Sequence, residues 1–327
     1  MTERGAICVF SENREVALEL LAAGRPLADQ AQTDLLSIVL EKRASVSTAS
    51  DAVVEEQIAL GADGVLLVED VPDDAGAVFD VAVLQRVVSL REPSALLVGG
   101  TVHGTEVVAQ LAQRLHAGCA TDCTSLTLRD GRLEIERVTL GRFTCRQTLR
   151  TQPALASVRP RQFAPPERRG ERHGDVERLR VDAPVDPVRV LERRERVVSH
   201  ERIDRAACVV AVGRGLRAAQ DLPMIEALAQ ALDAAVGASR PLTNDLEWLP
   251  IDVKVGLSGT TVRPSLYIAC GISGQIEHLI GMRESEVVVA INTDATAPIM
   301  AEADYRVIGD LYEVVPALTR ALQELRP

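Results

Sequence analysis

Five short loops between residues 236 and 311 carry residue types that could hold a large polar ligand. They combine glycines, hydroxyls, amides and charged side chains, and they span 236–240, 255–259, 270–278, 291–294 and 309–311. Most of them follow a segment that predicts a strand, and helical patterns lie between them. Because loops and helix N-termini at the carboxyl edge of a parallel sheet present backbone N–H groups there, the series indicates one extended, nucleotide-like ligand.

Arg240 is the first candidate for a role in chemistry. Ser239 and Arg240 end a short predicted strand, and Pro241 is expected to keep Arg240 out of a helix. A guanidinium held there can face a planar heterocycle and stabilise negative charge on it. One charge about 4 Å away contributes roughly 4 kcal/mol at an effective dielectric of 20, a ceiling of about 170 mV for one electron. Taken alone, the residues also fit a surface arginine.

The turn Gly213-Arg214-Gly215 ends another predicted strand. The dinucleotide fingerprint G-x-G-x-x-G is incomplete, because position 218 is Ala, so a nicotinamide-type Rossmann site is not indicated. Taken alone, the turn fits an ordinary connection between a strand and a helix as well as it fits a phosphate contact. The loop 255–259 adds backbone N–H groups and the hydroxyl of Ser258.

The segment 273–278 straddles the predicted start of a helix, which suits a phosphate or a carbonyl that gains negative charge. His278 lies about one turn from Gly274, so both can address one ligand. Glu277 has two readings. Its carboxylate lies near the ligand, where it would disfavour negative charge and raise the pKa of His278, or it points to solvent and complements the helix dipole.

Asn292 and Asp310 fit the other half of such a ligand. Asparagine can donate to a phosphate, and aspartate suits a ribose hydroxyl. Asp310 is also expected to cap the last helix. In the first half, the glycines of 99–101 with His103 could cradle a nucleotide, although a plain βα turn is the expectation. No Ser/His/Asp triad, paired-carboxylate site or metal cluster emerges from the sequence.

Composition narrows the class of protein. A chain of 327 residues predicts two domains, and 2% aromatic residues require aliphatic cores, as in parallel sheets covered by helices. The formal charge of −11 argues against nucleic-acid binding. The six cysteines lack metal-site spacing and fit a reducing, cytoplasmic compartment. No apolar run approaches the roughly 20 residues that cross a bilayer, so membrane insertion is not expected.

Hydrophobic periodicity predicts an α/β protein of two domains, each built on a mainly parallel sheet flanked by helices. In the first half, candidate strands at 6–10, 35–40, 64–68 and 95–98 alternate with candidate helices at 17–27, 52–60, 77–90 and 105–114. Asp130-Gly131 predicts a hairpin turn. A charged connector is expected at about 159–205, closing a first domain of 1–205.

The second domain, 206–327, is expected to be doubly wound. Its candidate strands are 207–212, a short strand ending at Ser239, 266–270, 287–291 and 305–308; its candidate helices are 223–234, 274–280, 298–303 and 311–325. Asp221 is a plausible cap of the first helix. The interval 241–262 lacks this alternation and is expected to be a long excursion that faces the ligand.

These motifs resemble the FAD-binding domain of electron-transfer flavoprotein alpha subunits. The resemblance is dense from about residue 213 to 318, in 266–274 with His278-Leu279, in 287–294, and in 303–305 with 309–311. Looser similarity at 61–63, 118–125 and 157–160 extends it over nearly the whole chain. It implies FAD as cofactor, Arg240 beside the isoalloxazine ring and the Ser258 hydroxyl at flavin N5.

The resemblance carries over a full set of cofactor-binding positions. They are Arg214, Ser239, Arg240, Val255, Gly256, Leu257, Ser258, Ser273, Gly274, Gln275, Ile276, Glu277, His278, Asn292, Asp310 and Leu311. Two of them depart from the family pattern, which more often has glutamine at the positions of Leu257 and Glu277. These departures put the polar contact at 257 in doubt.

The function that the resemblance implies is electron carriage rather than substrate conversion. The alpha subunit would take electrons from flavin dehydrogenases and pass them to a quinone-linked or other acceptor. It would pair with a beta subunit, chiefly through the first domain. An alternative is a flavin-free nucleotide-binding scaffold or regulatory subunit, which the departures at Leu257 and Glu277 leave open. An NAD-dependent dehydrogenase is disfavoured by the incomplete glycine fingerprint.

Overall fold

The protein is represented by a computed structural model, which describes residues 5–43, 47–139, 143–164, 166–167, 172–182, 184 and 202–325. It divides into two compact units, Met1–Arg193 and Arg194–Pro327. The division falls in the part of the predicted connector that lies outside the described residues, as does much of the charge run that predicted it. Each unit has its own sheet.

The described part of the first unit forms a nine-stranded sheet in the order β7-β6-β5-β8-β4-β1-β2-β3-β9. Its strands are β1 (Ile7–Phe10), β2 (Leu35–Lys42), β3 (Gly64–Val71), β4 (Ala95–Gly99), β5 (Cys119–Arg129), β6 (Arg132–Thr139), β7 (Phe143–Thr148), β8 (Ala154–Val158) and β9 (Asp175–Arg180). Only β5–β6 and β6–β7 pair antiparallel in this described sheet. The expectation of a mainly parallel sheet is confirmed.

Four helices accompany this sheet in the described residues, and local sequence explains how they begin. They are α1 (Arg14–Ala31), α2 (Ser47–Ala59), α3 (Ala77–Arg91) and α4 (Val102–Leu115). The Asn13 carboxamide oxygen caps α1 by accepting from the backbone N–H groups of Glu15 and Val16. The hairpin forms at Asp130 and Gly131, whose φ angles are 51° and 74°, as a two-residue turn with both residues left-handed requires.

The second unit is a five-stranded sheet in the order β11-β10-β12-β13-β14, and all of its strand pairs are parallel. Its strands are β10 (Cys208–Val212), β11 (Ala235–Ala238), β12 (Leu266–Cys270), β13 (Val287–Asn292) and β14 (Tyr305–Ile308); its helices are α5 (Leu222–Leu232), α6 (Ile276–Met282), α7 (Pro298–Glu302) and α8 (Leu311–Leu325). This doubly wound order reverses between β10 and β12, and ligands bind at such a switch point.

An aliphatic core fixes this sheet. Residues 209–212 of β10 and 267–270 of β12 are buried at every position, as in strands covered on both faces. Fully buried Tyr267 is the largest of these core side chains. Cys270 is also buried and behaves as a small hydrophobe.

The expectation that Pro241 keeps Arg240 out of a helix is wrong at the start of the excursion 241–262. Arg240 has helical dihedral angles (φ −45°, ψ −43°) and leads into a wide helical turn, Pro241–Asp245. Proline disfavours a helical residue before it, but it is tolerated at the first position of a helix because it needs no hydrogen-bond donor there. The excursion returns to the sheet through a bridge between Ala238 and Lys254.

Asp221 also departs from expectation. It precedes α5 but its side chain makes no capping bond to that helix. Its Oδ2 instead accepts a hydrogen bond of 2.6 Å from the Tyr312 hydroxyl. The carboxylate therefore ties the start of α5 to α8.

Candidate functional site

A cavity of about 660 Å³ lies at the carboxyl edge of the second sheet. The loops after all five strands and the excursion contribute to its wall, and every predicted site residue except Ile276 lines it. Neighbouring strands are about 4.8 Å apart, so the edge from β11 to β14 spans about 19 Å. The cavity therefore suits an elongated ligand that crosses the switch point.

Close backbone packing forms the floor at the switch point. The Gly215 N–H donates to the Gly271 carbonyl at 3.0 Å. A Cβ atom added to either glycine would lie within 2.7 Å of the other's Cα atom, and Gly271 has a φ angle of +61°. Arg214 lies in the same turn, is exposed, and makes no hydrogen bond or ion pair with any residue that the structure describes.

The turn before α6 is held by the neighbouring helix. Gly274 has a φ angle of +81°, and a Cβ atom there would lie 2.3 Å from the Ile299 nitrogen. The Ile299 N–H donates to the Ser273 carbonyl at 3.1 Å. Ser273 and Gln275 are exposed on the cavity side of this turn, and Ile276 stands outside the wall.

Three polar side chains in the cavity wall are more than nine-tenths buried. Ser239 is 8% exposed, Lys254 6% and His278 7%. The Nε2 atom of His278 lies 2.9 Å from the Tyr267 hydroxyl. Its Nδ1 atom is buried and makes no hydrogen bond of good geometry among the described residues, although the Val255 backbone lies close enough to the imidazole to act on its pKa. Buried polar atoms are nearly always satisfied. A ligand in the cavity would supply what this nitrogen lacks.

Burial decides the ionisation of His278. It lowers the pKa of the imidazole to about 4, and the nearby Val255 backbone opposes the shift only in part. Of the two readings of Glu277, the one in which its carboxylate raises this pKa is not borne out, because the Glu277 side chain is exposed and desolvation lowers the pKa of His278. His278 is therefore a neutral hydrogen-bonding group at neutral pH.

Leu257 and Ser258 belong to the same end of the cavity. The Leu257 N–H donates to the Glu277 carbonyl at 2.7 Å, which joins the excursion to α6. The Leu257 side chain is 64% exposed, so it presents an apolar surface at the cavity. Gly256, with a φ angle of +143°, packs against the Glu277 backbone.

The opposite end of the cavity has satisfied charges. Asp310 accepts from the Tyr312 N–H through Oδ1 and pairs with Arg217 through Oδ2, at 3.0 and 2.7 Å. Asp310 therefore caps α8 as expected. The Asn292 amide donates to the Ile272 carbonyl and its oxygen accepts from the Asp294 N–H, at 2.8 and 3.0 Å. Leu311 completes this part of the wall.

Arg217 and Lys254 are charged wall residues that sequence reasoning missed. Arg217 lies two residues beyond Gly215, and Lys254 immediately precedes Val255. The sequence signal that could have placed both residues in the wall is that each lies next to, or within a few residues of, a predicted site residue. Their residue types alone carried no information about burial or pairing.

The corresponding turn in the first unit is different. The Thr101 hydroxyl accepts from the Gly104 N–H and donates to Glu12, at 2.8 and 2.6 Å. The Nε2 atom of His103 lies 2.7 Å from Asp80, which raises the pKa of the imidazole. This is an ordinary βα turn with its polar groups satisfied.

The described residues contain no cluster of three potential metal-binding side chains. None of the helices in the same residues is long and apolar enough to span a bilayer.

The residues of the cavity fit FAD. The edge has the length of a dinucleotide, the glycine floor lets backbone approach a pyrophosphate, and unpaired Arg214 supplies a matching charge. The orphaned Nδ1 atom of His278 requires a polar partner. Fold and cavity together define a dinucleotide-binding α/β protein.

Comparison with known proteins identifies the family. The model of the electron transfer flavoprotein domain matches residues 8–184, and that of the electron transfer flavoprotein FAD-binding domain matches 202–283. The chain is 32% identical over 317 residues to electron transfer flavoprotein subunit alpha of Bacillus subtilis (strain 168), covering 96% of this chain and 94% of the relative. It is 35% identical over 314 residues to Protein FixB of Rhizobium meliloti (strain 1021), covering 93% and 87%.

The chain belongs to the electron transfer flavoprotein alpha-subunit family. Protein FixB of Azotobacter vinelandii is a further relative, 33% identical over 333 residues, with 97% of this chain and 90% of the relative covered. The cofactor is FAD and the role is electron transfer.

Proposed function

We propose that the second unit holds one FAD along the carboxyl edge of its sheet and that the protein carries electrons from flavin dehydrogenases to a downstream acceptor. The observation that carries this proposal is the dinucleotide-length cavity, whose wall contains the buried Nδ1 atom of His278 without a hydrogen bond, and arginines 214 and 240 without an ion pair among the described residues. Bound FAD supplies the one- and two-electron chemistry. The residues of the chain bind it, orient it and set the charge around it.

The distribution of charge supports one orientation of the cofactor. Arg240 makes no side-chain hydrogen bond or ion pair in the described part of the chain, whereas Arg217 at the other end is neutralised by Asp310. An unpaired guanidinium is better suited to stabilise charge that changes during a reaction. We therefore assign the flavin ring to the β11 end and the adenosine half to the β14 end.

This assignment gives each end a binding role. Ser258 would donate to the ring edge, neutral His278 would hydrogen-bond to it, and Leu257 would lie against its apolar surface. Arg214 at the switch point would pair with the pyrophosphate. Asn292 and Asp310 would address the phosphate and ribose of the adenosine half, with Leu311 beside them.

The chain would act as a carrier rather than as a substrate-converting enzyme. Its partner would be an electron-transfer flavoprotein beta subunit bound chiefly through a first domain of 1–205, with 206–327 as the FAD domain. Its donors would be flavin dehydrogenases and its acceptor quinone-linked or other. The six free cysteines support a cytoplasmic location, and the acidic balance offers no support for nucleic-acid binding.

The test is to copurify the chain with its beta subunit. We expect a yellow complex with about one FAD per pair, reducible by a flavin dehydrogenase and reoxidised by an acceptor protein. A colourless complex that fails to bind FAD at micromolar concentration would overturn the assignment and favour the nucleotide-binding scaffold. A complex that binds FAD but exchanges electrons with no dehydrogenase would remove the carrier role alone.

A further inference from the structure

Lys254 is the most unusual charged residue of the cavity. The chain contains only two lysines, Lys42 and Lys254. Lys254 is in the cavity wall and only 6% exposed. Its ammonium makes no hydrogen bond or ion pair with any part of the chain that the structure describes.

An ammonium on a largely buried side chain without a counter-charge is unfavourable, because it loses part of its water and gains no ion pair in return. Such a group is retained where a bound anion completes it. His278, in the same wall, also has an orphaned nitrogen. The buried His278 nitrogen and the Lys254 ammonium without a counter-charge together indicate a polar ligand at that end.

The backbone of Lys254 is fixed at the β11 end. It forms a bridge with Ala238, two residues before Arg240, and its carbonyl accepts from the Thr260 N–H at 2.7 Å. Lys254 and Arg240 thus stand on neighbouring segments of the same end. The one carboxylate in the wall at this end, Glu277, is exposed and makes no ion pair with either cation within the described residues.

We propose that Lys254 supplies a second fixed positive charge, beside that of Arg240, which favours the reduced, negatively charged flavin ring over the oxidised neutral one. This inference rests on the proposed function, and in particular on the ring lying at the β11 end. No covalent bond forms in this role. The electrons come from the reduced dehydrogenase and leave to the acceptor. Lys254 changes only the equilibrium between the oxidised and the reduced flavin.

The two oxidation states give a direct test. By linkage, a residue that binds reduced FAD more tightly than oxidised FAD raises the midpoint potential. The shift is proportional to the logarithm of the ratio of the two affinities. In the complex with the beta subunit, Lys254→Gln should reduce this ratio about tenfold. That ratio corresponds to a potential lower by about 30 mV for the two-electron couple. Spectroelectrochemistry and titration of FAD into the apo complex measure the two quantities.

Three further variants control the experiment. Lys254→Arg keeps the charge and should keep the potential close to that of the wild type. Lys42→Gln removes the other lysine, which is exposed in the first unit, and should change nothing. Lys254→Met keeps the apolar stem and removes the charge, so the FAD-free complex should melt at the same or a higher temperature, whereas a structural role predicts a lower one.

The outcomes separate the inference from the proposed function. A Lys254→Gln complex that binds FAD with unchanged potential overturns the inference and leaves the proposed function intact. Equal weakening of oxidised and reduced FAD also overturns it, because the ammonium would then act on a phosphate. A wild-type complex that binds no FAD overturns both. Should Lys254→Gln fail to fold, the potential of Lys254→Met decides by the same criteria.

Discussion

The βα turn after β4 in the first unit and the turns after β10 and β12 in the second occupy equivalent positions in parallel sheets, yet their polar groups are satisfied differently. In the first, Thr101 bonds to Gly104 and Glu12, and His103 pairs with Asp80. In the second unit, the ammonium of Lys254 in the excursion after β11 and the Nδ1 atom of His278 in α6, both in the same cavity wall, make no hydrogen bond of good geometry within the described residues. Glycine content alone does not distinguish a ligand site from a turn. What differs at the cavity is that polar groups beside its glycine turns lack partners among the described residues.

The two histidines express this difference as opposite pKa shifts. The hydrogen bond that the His103 imidazole donates to the Asp80 carboxylate raises the pKa of His103, despite partial burial. Desolvation lowers the pKa of His278 to about 4. The His103 imidazole is paired with the carboxylate of Asp80 and stabilises the fold. The His278 imidazole is neutral and faces the cavity, so it is available to a ligand.

The largest expected effect comes from filling the floor of the switch point. Gly271→Ala places a Cβ atom 2.7 Å from the Gly215 Cα atom, so the two turns must separate. We expect FAD affinity to fall at least 100-fold, about 3 kcal/mol, measured by titration into the apo complex. The control is Gly131→Ala, where φ is +74° and no atom lies within 4 Å. It should cost about 1 kcal/mol of stability and leave FAD affinity unchanged; equal loss in both variants would contradict the role of the floor.

The next effect is the pH dependence that His278 imposes. Its folded pKa of about 4 is below the ordinary histidine value of 6.5, so the unfolded state binds more protons between these values. The stability is fully present above pH 6.5 and is lost as the pH falls to 4, by about 3 kcal/mol at most. The measurement is the free energy of urea unfolding of the FAD-free complex as a function of pH. It should show this loss in the wild type and not in His278→Gln.

His103 provides the opposite control. Its raised pKa means that the stability from its pairing with Asp80 is fully present below the unfolded pKa and is lost as the pH rises through the folded one. The difference in unfolding free energy between the wild type and His103→Gln should therefore shrink as pH rises. Two variants with the same sign of pH dependence would break the comparison between the units.

The sequence predicted the framework well because aliphatic runs and turn residues are local signals. Strands β12 and β14 and helix α8 begin and end where the pattern placed them. Strand β9 escaped, because its sequence Asp-Val-Glu-Arg-Leu-Arg is almost wholly exposed at an edge and has no apolar alternation. It pairs with β3 through backbone hydrogen bonds, which leave little trace in side-chain type.

The sequence predicted which residues line the site, but not their pairing or their pKa values. Glycines and polar residues after strands identified the wall, because the carboxyl edge gathers such loops. The helical conformation of Arg240 and the pKa of His278 depend on neighbours distant in sequence, as does the difference between paired Arg217 and unpaired Lys254. No local pattern carries that information.

The contrast between paired and unpaired cations gives a third prediction. Arg240→Gln should lower the midpoint potential of the bound flavin by about 60 mV for one electron, a tenfold effect. This is below the ceiling of roughly 4 kcal/mol for a charge at about 4 Å, because Arg240 is exposed. Arg217→Gln should shift it by less than a third of that, since Asp310 already neutralises Arg217. Comparable shifts in the two variants would mean that the ring is not at the β11 end.

The smallest expected effect concerns Glu277, the exposed carboxylate in the wall that has no ion pair among the described residues. Its negative charge opposes those of Arg240 and Lys254, so Glu277→Gln should raise the potential, by about 20 mV given solvent screening. Potentiometry at low and high salt tests this, since screening should reduce the shift. Glu106 is an exposed residue of α4 in the first unit, and Glu106→Gln should have no effect. An unchanged potential in Glu277→Gln at both salt concentrations would mean that the carboxylate serves only solvent and the helix dipole.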